Sequence, residues 1–249
     1  MIDGFYLEGF VESRVAAVNA LVEECASEHG VGLPSELPGD MVEGYFRADF
    51  LYGVVTAEEA GESGYEPYRL VDPLAEVTAQ GWSEEVVSVV LGTADVEGDW
   101  TGGCLDEAEA AVDADSTVGS NPLADDGKLL VELLLEQAWG LSVFEEDVQE
   151  VLSDWTECMK NRGYEYGNYF EPPLDQRFAR TTSESPSDEE LQTALDDVEC
   201  KAETNIFGVI GQIDNAFQER LSDINAQQLN AELTWMEAAI ERYEGITAR

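Results

Sequence analysis

The stretch 185-SPSDEELQTALDDVECKAETNIFGVIGQIDNAFQERLSDINAQQLNAELTWMEAAIERYEG-245 decides the architecture. Ile206, Ile210, Ile213, Phe217, Leu221 and Ile224 recur at spacings of three and four, so they share one helical face. After a skip of five, Leu229, Leu233, Met236, Ile240 and Tyr243 resume the pattern, a phase shift compatible with a bend or a change of partner. Leu191, Leu195 and Val198 begin the same periodicity upstream. Ser187 with Glu190 forms a candidate capping box, and Pro186 excludes helix before it. The stretch reads as one long helix or two in a row. Unbroken, about sixty residues rising about 1.5 Å each span roughly 90 Å. Such a rod either projects in part, the favoured reading, or folds back near Gly208–Gly211 or Asn225–Gln228. From the stripe, Ile213, Phe217, Leu221, Ile224, Leu229, Leu233, Met236 and Ile240 are the candidate surface for a protein partner or a second copy.

Four cysteines anchor the rest of the chain. Cys25 and Cys158 each lie near the end of an apolar-periodic helix, with Gly30 and Gly163 five residues on as C-caps. Cys104 and Cys200 each belong to a later helix. Four cysteines allow three pairings, and this repeated order points to Cys25–Cys104 and Cys158–Cys200. The alternative is four buried thiols in a reducing compartment. No C-x-x-C occurs and His29 stands outside any Cys/His array, so neither a zinc site nor a cofactor is expected.

The remaining segments read as helices over Phe5–Glu24, Thr56–Gly61, Ser83–Val90, Leu105–Asp113, Lys128–Leu141 and Glu145–Arg162, joined by Gly- and Pro-rich loops. No stretch alternates as a strand. The fold class expected is all-α: a disulfide-stapled helical bundle with long loops. Residues 1–125 form an N-terminal half with Cys25 and Cys104, and 126–249 a C-terminal half, integrated into one domain. The most apolar run, Lys128–Ser142, is too short to span a bilayer and carries two glutamates. The start, Met-Ile-Asp-Gly, reads as a mature or trimmed secreted chain behind an added methionine, so an extracytoplasmic location is expected.

Charge excludes two partner classes. Fifty-four acidic against 12 basic residues give a net charge of −42, which repels nucleic acid and anionic membranes alike. A solvated acidic surface adapted to salt is the plain reading, and cation binding the sharper one. Asp113-Ala-Asp-Ser-Thr-Val-Gly119 begins like a calcium loop, but Val118 stands where the turn glycine belongs and Ala124 where the bidentate glutamate belongs. At most it holds calcium weakly. Salt is expected to raise the melting temperature by screening self-repulsion. A calorimetric series in sodium chloride checks this, and a flat response would show the charges already compensated.

Chemistry is sparse. His29, the only imidazole, reads as a partner of a helix C-terminus, and no nucleophile elbow, zincin or phosphate-loop motif occurs. With 54 acids, a glycosidase-like carboxylate pair arises by chance. Two aromatic loops contain Tyr65 and Tyr68, and Tyr164, Tyr166, Tyr169 and Phe170, which either bind a small ligand or cell-wall fragment or roof a helical core. Three readings follow: a non-catalytic cell-envelope protein acting by protein–protein contact, a binder of a small ligand, cell-wall fragment or divalent cation, and a carboxylate-dependent hydrolase.

Trp155-Thr-Glu-Cys158-Met-Lys-Asn-Arg-Gly163-Tyr-Glu-Tyr, followed by Asp197-Val-Glu-Cys200-Lys-Ala-Glu-Thr-Asn205-Ile-Phe-Gly208, resembles a pair of motifs in secreted, often lipid-anchored actinobacterial proteins. Leu51-Tyr-Gly, Gly64-Tyr and Gly102-Gly-Cys104 also resemble that set. The sequence departs from it in Ala26, where methionine follows the first cysteine, and in its greater acidity. The resemblance implies an extracytoplasmic location and paired cysteines, with no established activity.

Overall fold

The computed structural model describes residues 9–37, 53–66, 73–94, 100–113, 129–181 and 183–248. Tyr68 and the calcium-like loop after Asp113 lie outside them. Among the described residues the elements are α1 (Phe10–Glu28), α2 (Ala57–Ser63), α3 (Pro73–Ala79), α4 (Glu84–Val90), β1 (Thr93–Ala94), β2 (Trp100–Thr101), α5 (Cys104–Asp113), α6 (Leu130–Ser142), α7 (Glu146–Asn161), α8 (Asp188–Thr204) and α9 (Ile206–Thr247). The fold is all-α, with two disulfides and a long C-terminal helix. The antiparallel pair β1–β2, too short to show alternation in sequence, is a correction to the strand-free reading. The helix α3, a seven-residue segment opening on proline, is one that the sequence reading does not include.

Local signals act where the sequence places them. Thr56, Ser83 and Ser187 accept hydrogen bonds from the backbone N–H groups of Glu59, Val86 and Glu190, and so cap α2, α4 and α8. The box at Ser187 has only this arm. Glu190 is drawn away, its buried carboxylate accepting from the Tyr65 N–H at 3.1 Å and from Arg180 Nε at 3.1 Å. The ends of α1 and α7 match. Gly30 and Gly163 take positive φ, and Val31 N–H and Tyr164 N–H reach back to the carbonyls of Ala26 and Met159, closing Schellman-type caps.

The long stretch breaks at Asn205. This residue sits in the left-handed region (φ 52°, ψ 33°), which asparagine tolerates better than most, and separates α8 from α9. Gly208 completes the turn: a Cβ there would collide with the Asn205 side-chain amide. Beyond it α9 runs unbroken through Gly208, Gly211 and Asn225–Gln228. The alternative of a fold-back at Gly208–Gly211 or Asn225–Gln228 is therefore not met, the one break falling just before them at Asn205.

The chain forms two compact units. Unit 1 comprises described residues 53–66, 132–181 and 183–225. In it α2 packs on α8 and α7 packs on α8. One core gathers Val148, Trp155, Met159, Tyr169, Cys200, Ile206 and Ile210, and another Val54, Ala60, Tyr65, Phe178, Ala194 and Val198. The Cys158–Cys200 bridge ties α7 to α8, with Cα atoms 5.7 Å apart. Unit 2 comprises described residues 9–37, 73–94, 100–113, 129–131 and 226–248. Here α1 packs on α5 beside the Cys25–Cys104 bridge, and Phe10 meets Trp235 and Tyr243 with ring centroids 5.8 and 5.9 Å apart. Glu232, fully buried, accepts from the N–H groups of Leu130 and Val131. It thereby satisfies two orphan donors at the start of α6, and burial raises its carboxyl pKa while these two bonds pull it down.

Candidate functional site

The two cysteine motifs assemble inside unit 1. Trp155 and Met159 stand one turn apart on the buried face of α7, and Asp197, Cys200 and Lys201 on that of α8. The Trp155 indole donates to Asp197 Oδ1 at 2.9 Å. Lys201 Nζ lies 2.9 Å from Asp197 Oδ2 and donates to the Val54 carbonyl at 3.1 Å. Its ammonium also stands 5.8 Å from the ring centre of Tyr169 and 5.5 Å from that of Phe207. Asp197 and Lys201 are 0% and 1% exposed. Burial pushes the Asp197 carboxyl up, against the opposing pull of Lys201 and the indole. The pair holds α8 to the segment at Val54 before α2, and its enclosure makes it structural rather than a site open to substrate.

The aromatic candidates among the described residues are mostly spent on the two cores of unit 1. Tyr65 is buried and stacks on Phe178 with centroids 5.8 Å apart, its hydroxyl pKa raised by desolvation and by Asp197. Tyr169 is buried among Trp155 and Phe170. Tyr164 stacks on Tyr166, and their hydroxyls donate to Asp196 at 2.7 Å and Asp175 at 2.9 Å. Burial raises the carboxyl of Asp196, but the bonds from Tyr164 and Arg162 outweigh it and hold its pKa low. Arg162 also pairs with Glu199 and Glu203 at 2.5 and 2.9 Å, drawing an acidic face of α8 onto the end of α7. Tyr166 and Phe170 border a shallow depression that includes Leu174.

The interaction stripe divides. Leu229 and Met236 are buried within unit 2, so they are closed to any partner, and Leu233 and Ile240 are half-buried. In unit 1 the row that turns fully inward is Ile206, Ile210, Asp214 and Gln218, at strict fours. Ile213, Phe217 and Leu221 follow the three-four spacing instead, drift off that row and remain half-buried, and Ile224 is 70% exposed. The reason is geometric: a row of fours rotates steadily about a 3.6-residue helix, and the apolar residues do not follow it.

The part of the stripe left open borders a groove. Glu145, Gln212, Ile213, Ala216, Phe217 and Arg220 line a cavity of about 370 Å³ within unit 1. Next to Glu145 in the α6–α7 turn, Phe144 is 84% exposed, and Leu141 is exposed as well. Sequence reading passed over Phe144 because it falls between two helical patterns. Its signal was an aromatic residue with no face to join. Glu145, Glu146 and Asp147 follow Phe144 in the chain and are exposed, and on α9 Glu219 and Asp223 are exposed beside the cation Arg220.

Asp197 and Glu232, the carboxyls pushed upward by burial, belong to different units and are each committed to donors already named. His29 ends α1, its N–H bonded to the Cys25 carbonyl, and is exposed. No described helix is long and apolar enough to cross a membrane. Compared with protein-family models, curated proteins and solved structures, the chain matches none of them.

Proposed function

We propose that this is a non-catalytic cell-envelope protein, working outside the cytosol, that binds a basic amphipathic helix of a partner protein on unit 1. One observation carries the reading: Phe144 and Ile224, at 84% and 70%, are the most exposed large apolar side chains among the described residues, with the Ile213–Phe217 groove on the same helix as Ile224. Burying a large apolar side chain contributes about 1.5–3 kcal/mol, so exposed residues beside an apolar groove offer a partner that much contact energy each. The acidic rim selects a cationic partner and disfavours self-pairing at a charge of −42. The disulfides fit an oxidising compartment. The resemblance of the two cysteine motifs to secreted, often lipid-anchored actinobacterial proteins points the same way.

A labelled helical peptide with leucines on one face and lysines on the other tests it. Fluorescence anisotropy is expected to show binding that weakens with salt and falls about tenfold or more in Phe144→Ser/Ile224→Ser, the size set by burying one or two such side chains. An acidic peptide with the same apolar face is expected not to bind. Equal binding by the variant, or by the acidic peptide, overturns the reading. So does a wild-type dimer in sedimentation that the variant abolishes, since the occupant is then a second copy.

A further inference from the structure

We propose that the Cys25–Cys104 bridge is one state of a redox-gated metal site, whose other state is a zinc ion held by Cys25, Cys104 and His29. The chain has a single histidine, and it stands at this bridge. Each residue can bring a ligand atom to within 4.8 Å of the other two. Two helices supply them at one-turn spacing. Cys25 and His29 sit four apart at the end of α1, where the His29 N–H bonds the Cys25 carbonyl at 3.1 Å and keeps the turn helical. Cys104 opens α5, and three residues on Glu107 places Oε2 4.0 Å from Cys25 Sγ. Packing of α1 on α5 brings the two pairs together.

The chemistry of the set favours zinc. Thiolate and imidazole are its preferred ligands, and bonds of about 2.3 Å to sulfur and about 2.0 Å to nitrogen set neighbouring ligand atoms under about 4 Å apart. Once the bridge is reduced, side-chain rotation lets the two sulfurs move apart to that spacing, with their Cα atoms 5.7 Å apart, and lets the imidazole close on them. Exposure of His29 and partial exposure of Cys25 give the ion a path in. The other bridge lacks this equipment: near Cys158 the available group is the Glu203 carboxylate, at 3.6 Å from Sγ.

The conversion balances. A dithiol reductant gives two electrons and two protons to the bridge and leaves as its own disulfide, and the protein gains two thiols. Zinc then displaces one proton from each thiol and binds the two thiolates and the imidazole. The same residues thus hold a bridge in oxidising surroundings and a metal in reducing ones, which does not depend on the partner proposed above.

Cobalt(II) reports the site directly, through the thiolate charge-transfer band and the visible bands of a tetrahedral ion. In Cys158→Ser/Cys200→Ser, whose reducible sulfur is confined to one pair, phosphine-reduced protein is expected to take one equivalent of cobalt that zinc displaces. Oxidised protein is expected to show no such bands. His29→Ala is expected to weaken binding by about tenfold or more, since even outer-shell changes cost that much. A reduced protein without the bands, or an unchanged affinity in His29→Ala, overturns the proposal. If reduction melts the helices, circular dichroism decides. Recovery on adding zinc in the reduced wild type but not in His29→Ala supports the site, and no recovery in either rejects it.

Discussion

Lys201→Met is expected to lower the unfolding free energy by about 3–5 kcal/mol, the cost of leaving a carboxylate buried without its partner. The ammonium compensates Asp197 at 2.9 Å, satisfies the Val54 carbonyl and faces the rings of Tyr169 and Phe207. Methionine keeps most of the volume and none of the charge. Adding Asp197→Asn to Lys201→Met is expected to recover most of the loss, because the amide oxygen still accepts from the Trp155 indole while neither position carries a charge. The residual deficit, about 1–3 kcal/mol, belongs chiefly to the unpaired Val54 carbonyl. Urea titration of the three proteins reads these differences. A loss below about 1 kcal/mol in Lys201→Met would show that water reaches Asp197.

The same substitution has a pH dependence of known sign. Burial already raises the Asp197 carboxyl above its ordinary value, and Lys201 pulls it down, so removing the lysine raises it further. A carboxyl whose pKa is higher folded than unfolded costs stability above the folded value, and the cost fades as pH falls toward the unfolded one. The gap in Tm between Lys201→Met and wild type is therefore expected to narrow as pH is lowered from neutral toward the ordinary carboxylate range. The narrowing is expected to vanish when Asp197→Asn is also present. A gap constant with pH would remove Asp197 as its source.

What the sequence disclosed and what it hid follow one division. Helix ends were legible because their causes are local: Thr56, Ser83 and Ser187 cap three residues ahead, and Gly30 and Gly163 close the turns behind two half-cystines. The disulfide pairing was legible through that recurrence. Asp197 and Lys201, four apart on a helix, read in sequence like any exposed ion pair, and only the packing of α8 against Trp155 and Tyr65 turns them inward. Glu190 misled for a related reason, its local role in a capping box losing to Arg180 and the Tyr65 N–H. The stripe was half legible. Its periodicity identified α9 but did not distinguish the buried row through Asp214 and Gln218 from the neighbouring row through Phe217 and Ile224. At His29 the spacing to Cys25 was on the page, whereas Cys104, 79 residues from Cys25, was not visibly near.

Removing either bridge is the other change expected to cost most. Closing loops with sequence separations of 79 and 42 residues restricts the unfolded chain, by a chain-entropy argument, to the extent of about 4–4.5 kcal/mol each. Length alone favours the longer loop by only about 0.5 kcal/mol, so the native surroundings rank the two. Cys158–Cys200 joins helices that Trp155–Asp197, Tyr164–Asp196 and the Arg162 pairs already fasten, and the bridge supplements them. α1 and α5 meet chiefly through apolar packing, with Arg14 and Glu109 at 3.9 Å, so there the bridge and its longer loop act without the charged network that spans α7 and α8. Cys25→Ser/Cys104→Ser is thus expected to lose more than Cys158→Ser/Cys200→Ser in urea unfolding under oxidising conditions. Reduction of the wild type is expected to lower Tm by more than either pair, with zinc restoring a part that disappears in His29→Ala. Equal losses for the two pairs would mean that loop closure alone sets the contribution of each bridge, with nothing added by the contacts around it.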